Sequence, residues 1–198
     1  PKVPFRIPLI GFQRTRELLW RWIELCAFTA VFRTHEGNQP DRNYQIDDDP
    51  ETLAHFGRFA RIYAALADYR KTLMVEAETR GYPVVRHPWL HASDDPSTLD
   101  LTAQFMLGQV FMIAPVMRPR ATQVDVYLPA GRWCHLWSQS TVGDEDRGGW
   151  YSCPAPLGAP AVFYRADAEA GRVLYESVRG LDVVESWSGR IEATAEPT

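Results

Sequence analysis

Lysine is almost absent from this sequence: Lys2 and Lys71 are the only two, so nearly all of the positive charge is arginine. The 21 basic residues face 25 acidic ones, for a formal net charge of −4. That balance lacks the basic stripe of a nucleic-acid binder and the polybasic cluster of a membrane-surface protein, so neither partner is expected. Long apolar runs are also missing. The longest, Phe111 to Met117, is too short to span a bilayer and contains Pro115. The start, Pro1-Lys2-Val3-Pro4, has neither the apolar core of a signal peptide nor an initiator Met. A piece of a longer, cytoplasmic protein is the expectation. The three cysteines, Cys26, Cys134 and Cys153, are an odd number without a CxxC pair, which excludes a disulfide framework or zinc ribbon and suits free thiols in a reducing compartment. No glycine-rich phosphate loop and no HExxH is present, so no cofactor is expected. His87 and His91 have a helical i, i+4 spacing, yet Pro83 and Pro88 break any helix there, and no metal site is expected.

What is present is an ordinary globular composition, 45% hydrophobic and 23% charged, with material for a sizeable core. The chain changes character near Gly81. Before it, Thr15 is placed to cap a helix running through Glu17, Leu18, Leu19, Trp22, Leu25 and Cys26. Phe28 to Phe32 is short, apolar and flanked by polar residues, which predicts a buried strand. Asp49 as N-cap, Pro50 at the first helical position and Gly81 as terminator then bracket one long helix. Its apolar face carries Leu53, Phe56, Phe59, Ala60, Tyr63, Leu66, Leu73 and Met74. After Gly81 the pattern turns to strands: Val84–Arg86, Val110–Val116, Val124–Leu128, Trp133–Trp137 and Ala161–Arg165, separated by Pro- and Gly-rich turns. Their spacing predicts an antiparallel sandwich. Beyond Asp167 the pattern is weak, and Ala193 to Thr198 is expected to fray.

A buried parallel strand that ends in hydrogen-bonding residues is how barrel enzymes build their sites, at the C-terminal ends of the strands. Arg33, His35 and Glu36 stand at that end of the Phe28–Phe32 segment. Arginine and histidine together hold hydroxyl or anionic groups by directed hydrogen bonds, and strand alternation would put both on one side. The plain alternative is that Arg33 pairs with Glu36 or Asp41. The acidic residues Asp41, Asp47, Asp48 and Asp49 are read as a solvated loop and a helix cap.

Several of these segments, taken in order, resemble glycoside hydrolase family 31. Arg16 to Trp22 and Ala27 to Asn38, which includes Arg33-Thr34-His35-Glu36-Gly37-Asn38, are similar to the end of its catalytic barrel. Gly81 to Pro88 and Gly108 to Val116 share the likeness, and Val126 to Trp133 and Ala155-Pro156-Leu157-Gly158 are similar to the signature of the family's sandwich. The resemblance covers roughly residues 12 to 167. The wording around His35 and at Val162 to Asp167 is most like the sulfoquinovosidase branch. The resemblance implies the C-terminal fragment of a (β/α)8 barrel over residues 1–80, an antiparallel β-sandwich over 81–167 and a poorly patterned tail over 168–198. It implies a retaining α-glycosidase acting on α-glucosides or sulfoquinovosides, with carbohydrate as its partner. The family's two catalytic carboxylates have no counterpart here, so no catalytic residue is assigned and the fragment alone should be inactive. Pro1 to Pro8 stands where the family has an Asp-Ile-Gly-Gly-aromatic block. His35 matches the histidine that hydrogen-bonds sugar hydroxyls in the glycone pocket. Arg33 matches the arginine before it and is expected to orient the site. A complete barrel needs about 250 residues. The missing barrel portion, or self-association, should therefore cover the Phe56, Tyr63 and Leu66 face. The alternatives are a carbohydrate-binding or structural sandwich module, with Trp133, Trp137, Trp150 and Trp187 stacking on sugar rings or filling a core, and an inactive truncated gene product.

Overall fold

The computed structural model of the chain describes residues 13–37, 39–181 and 187–197. Pro1 to Pro8, Asn38 and Thr198 lie outside them. Helix α1 (Arg16–Cys26) starts where its cap predicts: the Thr15 side chain accepts the Leu18 N–H at 3.2 Å, with Glu17 in the first turn. Helix α2 (Pro50–Ala65) opens on Asp49, whose carboxylate accepts the Thr52 N–H at 2.7 Å. Helix α3 (Ala67–Arg80) closes at Gly81, in the left-handed region at φ +76°.

The single long helix predicted between Asp49 and Gly81 is therefore two. Leu66 breaks it, at φ −86° and ψ 4°, with its side chain only 1% exposed. Arg70 donates to the Tyr63 carbonyl, an acceptor that an unbroken helix would offer to the Ala67 N–H, and its guanidinium lies 3.5 Å from the Tyr63 ring centroid. No glycine or proline marks the break; the competing donor comes from a side chain within the same segment. The face expected to await a partner is also largely covered: Leu66 is buried, and Phe32 stacks on Phe56 and Tyr63 at 5.2 and 5.3 Å.

A second correction concerns Phe28–Phe32, which forms no strand. The chain turns after α1, bends at Thr29–Ala30 and runs on without a ladder partner. Phe28 is fully buried, Val31 is 63% exposed, and the Ala30 carbonyl accepts the Tyr63 hydroxyl at 3.0 Å. A buried strand needs neighbours to satisfy its backbone, and none lies beside this segment among the described residues. The barrel fragment is accordingly not visible as a βα unit.

The strand-rich part consists of antiparallel sheets, as expected. One has six strands, in the order β1 (Val85–Arg86), β2 (Phe105–Leu107), β3 (Phe111–Ala114), β8 (Ala161–Arg165), β5 (Trp133–His135) and β6 (Thr141–Val142). The other has three: β4 (Gln123–Leu128), β7 (Gly149–Pro154) and β9 (Glu192–Thr194). Strand alternation gives the six-stranded sheet two buried faces. Phe111, Ile113, Val162 and Tyr164 join Phe28, Phe59, Ile62 and Leu66 in a core under the helices. Met112, Ala114, Ala161 and Phe163 join Val126, Leu128, Trp133 and Cys153 in a second core between the sheets. The result is three layers, helices on sheet on sheet, and the first core runs across the sequence boundary near Gly81.

The weakly patterned end is more ordered than expected. Helix α4 (Glu169–Val178) buries Gly171, Leu174 and Val178, and it packs on α2. A Cβ at Gly171 would meet the Tyr164 ring, so only glycine allows that approach. Of the residues expected to fray, Ala193 and Thr194 belong instead to β9, which pairs with β7 through Trp150↔Thr194 and Ser152↔Glu192. Its side chains are all exposed, so it adds backbone pairing and no core.

Candidate functional site

The loop between Val31 and Asp49 holds the sequence-predicted site residues, and polar side chains set its shape. Arg14, just before α1, spans its two ends. Its Nη1 donates to the His35 carbonyl at 2.6 Å, its Nε to the Tyr44 carbonyl at 2.8 Å, and its Nη2 to Gln45 Oε1 at 2.8 Å. The Arg14 backbone takes part too: its N–H donates to Asn43 Oδ1 at 3.0 Å, and its carbonyl accepts the Tyr44 N–H at 2.9 Å. Gln45 Nε2 points at the carbonyls of Glu36, Pro40 and Asn43, at 3.1, 3.1 and 3.0 Å. Gly37, at φ +82°, supplies the turn that brings its own N–H back onto His35 Nδ1 at 2.9 Å.

That last bond fixes the chemistry of the imidazole. A ring nitrogen that accepts cannot carry a proton, so the neutral ring holds its proton on Nε2. His35 is exposed and its Nε2 has no partner among the described residues. It is a donor that faces solvent. Arg33 is also exposed and makes no hydrogen bond or ion pair among the described residues, so the pairing with Glu36 or Asp41 does not form.

The acidic run is structural. Asp48 Oδ2 accepts the Gln45 N–H at 2.8 Å. Asp49 caps α2 and accepts the Tyr44 hydroxyl. The Tyr44 hydroxyl and the Thr52 N–H hold the Asp49 carboxyl down at about 2. Asp41 and Asp47 are exposed. His87 caps a 3-10 turn (Pro88–His91) that His91 ends, and both are engaged, His87 with the Trp89 N–H and the Leu101 carbonyl, His91 with Arg86. Among the described residues no group of three potential metal ligands converges. Trp133 and Trp137 are core residues whose Nε1 atoms donate to the Pro129 and Pro160 carbonyls at 2.8 and 2.6 Å, which removes them as sugar platforms. Trp187 donates to the Pro154 carbonyl at 3.2 Å, and Trp150 sits edge-on to Tyr127.

The helical layer that carries this loop is fixed to the sandwich by a buried ion pair. Glu24 (2% exposed) accepts from Arg21 Nη1 at 2.9 Å and from the Gly158 N–H at 2.6 Å. Arg21 also donates to the carbonyls of Ala121, Ala155 and Pro156. The Ala155-Pro156-Leu157-Gly158 segment thus offers its backbone to α1. Sequence reasoning missed Arg14, Gln45, Arg21 and Glu24: the i,i+3 spacing of Arg21 and Glu24 reads as an ordinary helical pair, and the contacts that give these residues their roles, from Arg14 to His35 and Gln45, from Arg21 to Pro156 and from Gly158 to Glu24, span 21 to 135 residues.

The sequence model described as the glycosyl hydrolase family 31 C-terminal domain matches residues 81–168. The chain is 47% identical over 173 residues to a sulfoquinovosidase of Agrobacterium fabrum, covering 86% of this chain and 25% of that protein. It is 42% identical over 161 residues to a sulfoquinovosidase of Escherichia coli, covering 81% and 23%. The chain therefore spans about a quarter of the length of these curated relatives. Among solved structures, a family 31 sulfoquinovosidase from E. rectale in complex with an aza-sugar inhibitor superposes with a TM-score of 0.82 at 36% identity, over 87% of this chain and 25% of the other. Both the antiparallel sandwich and the order of the motifs accord with that kinship: residues 81–168 of this chain are a glycoside hydrolase family 31 C-terminal domain.

Proposed function

We propose that this chain is part of a retaining α-glycosidase of sulfoquinovosidase type, with His35 lining the glycone pocket and Arg33 orienting it. The kinship to two sulfoquinovosidases at 47% and 42% identity carries the reading. The exposed Nε2–H of His35 supports it, being the donor a sugar hydroxyl needs. In this reading residues 13–80 are the last portion of the catalytic barrel. The exposed Trp22, Val31 and Leu53 are where the rest of that barrel packs. Retention requires two carboxyls about 5–5.5 Å apart, one attacking the anomeric carbon and one protonating the leaving oxygen. We assign neither to this chain. A cytoplasmic location belongs to the same proposal, supported by the free thiols of Cys26, Cys134 and Cys153.

The test is an assay of the longer protein that carries this segment, with 4-nitrophenyl α-sulfoquinovoside and 4-nitrophenyl α-glucoside. The sulfoquinovoside should be hydrolysed at least about tenfold more efficiently, a difference of ~1.4 kcal/mol in transition-state binding. NMR should show the α-anomer as first product. The 198-residue chain alone should turn over neither substrate. No turnover by the longer protein, or a β-anomer as first product, would refute the reading.

A further inference from the structure

We infer that Arg14 is a positioning residue for His35, acting through the backbone of the loop rather than by touching substrate. The inference rests on the reading of His35 as a glycone contact. Three guanidinium N–H groups of Arg14 reach three points of one loop: the His35 carbonyl at 2.6 Å, the Tyr44 carbonyl at 2.8 Å and Gln45 Oε1 at 2.8 Å. A guanidinium offers five donors in a fixed plane, so it sets the relative position of its acceptors as no flexible ammonium does. Gln45 completes the strut, because its Nε2 points at the carbonyls of Glu36, Pro40 and Asn43. Arg14 and Gln45 thereby fasten the start and the end of the 35–45 segment to each other and to the start of α1.

The consequence at the ring is specific. His35 Nδ1 is fixed as an acceptor by the Gly37 N–H two residues along the same loop. Holding the His35 carbonyl on one side and the Glu36 carbonyl on the other restricts the backbone between the ring and that N–H. Without the Arg14 guanidinium the His35 carbonyl loses its partner, and apart from the Nδ1 bond itself the 35–37 stretch is held only by the contacts of Gln45 and Asn43 with the Glu36 carbonyl. The Nδ1 bond then becomes one of several arrangements, and the proton divides between the two ring nitrogens. A sugar hydroxyl would meet a donor for only part of the time, which lowers the effective affinity in proportion.

A double-mutant cycle in the longer enzyme, assayed with 4-nitrophenyl α-sulfoquinovoside, tests this. Arg14→Ala should lower kcat/KM by about 3- to 10-fold, as when the donor tautomer falls to between about a third and a tenth of the population, and by less than about 1.5-fold when His35 is already Ala. Gln45→Ala, which leaves Arg14 in place, should show a smaller loss with the same dependence on His35. It keeps the test valid if Arg14→Ala fails to fold. Nitrogen-15 spectra of the imidazole should show the Nε2–H tautomer in the parent and a tautomer mixture in Arg14→Ala. Losses that multiply, or an unchanged tautomer, would overturn the inference. If His35→Ala is damaging while Arg14→Ala and Gln45→Ala are silent, the inference alone fails. A silent His35→Ala would instead sink the reading of the pocket, and this inference with it.

Discussion

Replacing Glu24 by Ala should cost this fold about 3–5 kcal/mol, the range for breaking a buried ion pair by removing one partner. The loss is large because of what remains. Arg21 keeps a charge that is 9% exposed, and its carbonyl partners at Ala121, Ala155 and Pro156 do not neutralise it. The Gly158 N–H loses its acceptor as well. Burial pushes the Glu24 carboxyl up, while the Arg21 guanidinium and the Gly158 N–H pull it back toward ionisation. The pair joins α1 to the sandwich, so the variant should also lose cooperativity between the two halves. Urea unfolding followed by far-ultraviolet circular dichroism gives the number. A loss below about 1 kcal/mol would mean that the clamp contributes little. Replacing both Arg21 and Glu24 with apolar residues of similar volume should cost less than Glu24→Ala alone, since no unpaired charge is left behind.

Stability should also fall steeply between pH 6.5 and 4. Burial lowers His55 to about 4 and His135 to about 3. In the unfolded chain both titrate near ~6.5. The folded state thus holds them neutral while the unfolded state takes up their protons, and stability drops as the pH falls below ~6.5. The drop ends near pH 4 for His55 and near pH 3 for His135, where the folded state protonates too. Between pH 7 and 5 each histidine should remove about 2 kcal/mol. His55 lies against the Trp20 ring at 4.2 Å, with Nε2 near the Trp20 carbonyl and Glu24. The arginines Arg58, Arg21 and Arg16 oppose its charge. His135 lies between Phe163 and Trp187, with Ser138 and Cys153 at its nitrogens. Asp49, held down at about 2, contributes only in the lower window between its ordinary value and pH 2. Chemical denaturation at pH 7, 6 and 5 measures the slope, and substituting one of the two histidines should remove about half of it. A flat profile would contradict the neutral, buried assignment.

Much of the fold was legible where short-range physics decides. Thr15 and Asp49 cap as their side chains dictate, Gly81 terminates in the only region that favours it, and Ala161–Arg165 is a strand to the residue. The failures share a cause. Phe28–Phe32 has the composition of a strand but no neighbouring strand among the described residues, and composition cannot report a partner. The break at Leu66 comes from Arg70 taking the Tyr63 carbonyl, which leaves no mark on the hydrophobic period. Helix α4 buries only a narrow stripe of Gly171, Leu174 and Val178, too little to stand out from a polar background. Strand β9 buries nothing. At the site, the sequence led to His35 and Arg33 through a resemblance. The residues that shape their loop, Arg14 and Gln45, became visible only once the chain was folded.

The central claim is that His35 meets the glycone of an α-glycoside, and kcat/KM for His35→Ala in the longer enzyme tests it most directly. Hydrogen bonds to sugar hydroxyls strengthen in the transition state, so their loss appears in kcat as well as KM. A fall of about 100-fold, or ~2.7 kcal/mol, is the predicted result. An unchanged kcat/KM on both aryl α-sulfoquinovoside and aryl α-glucoside would contradict it.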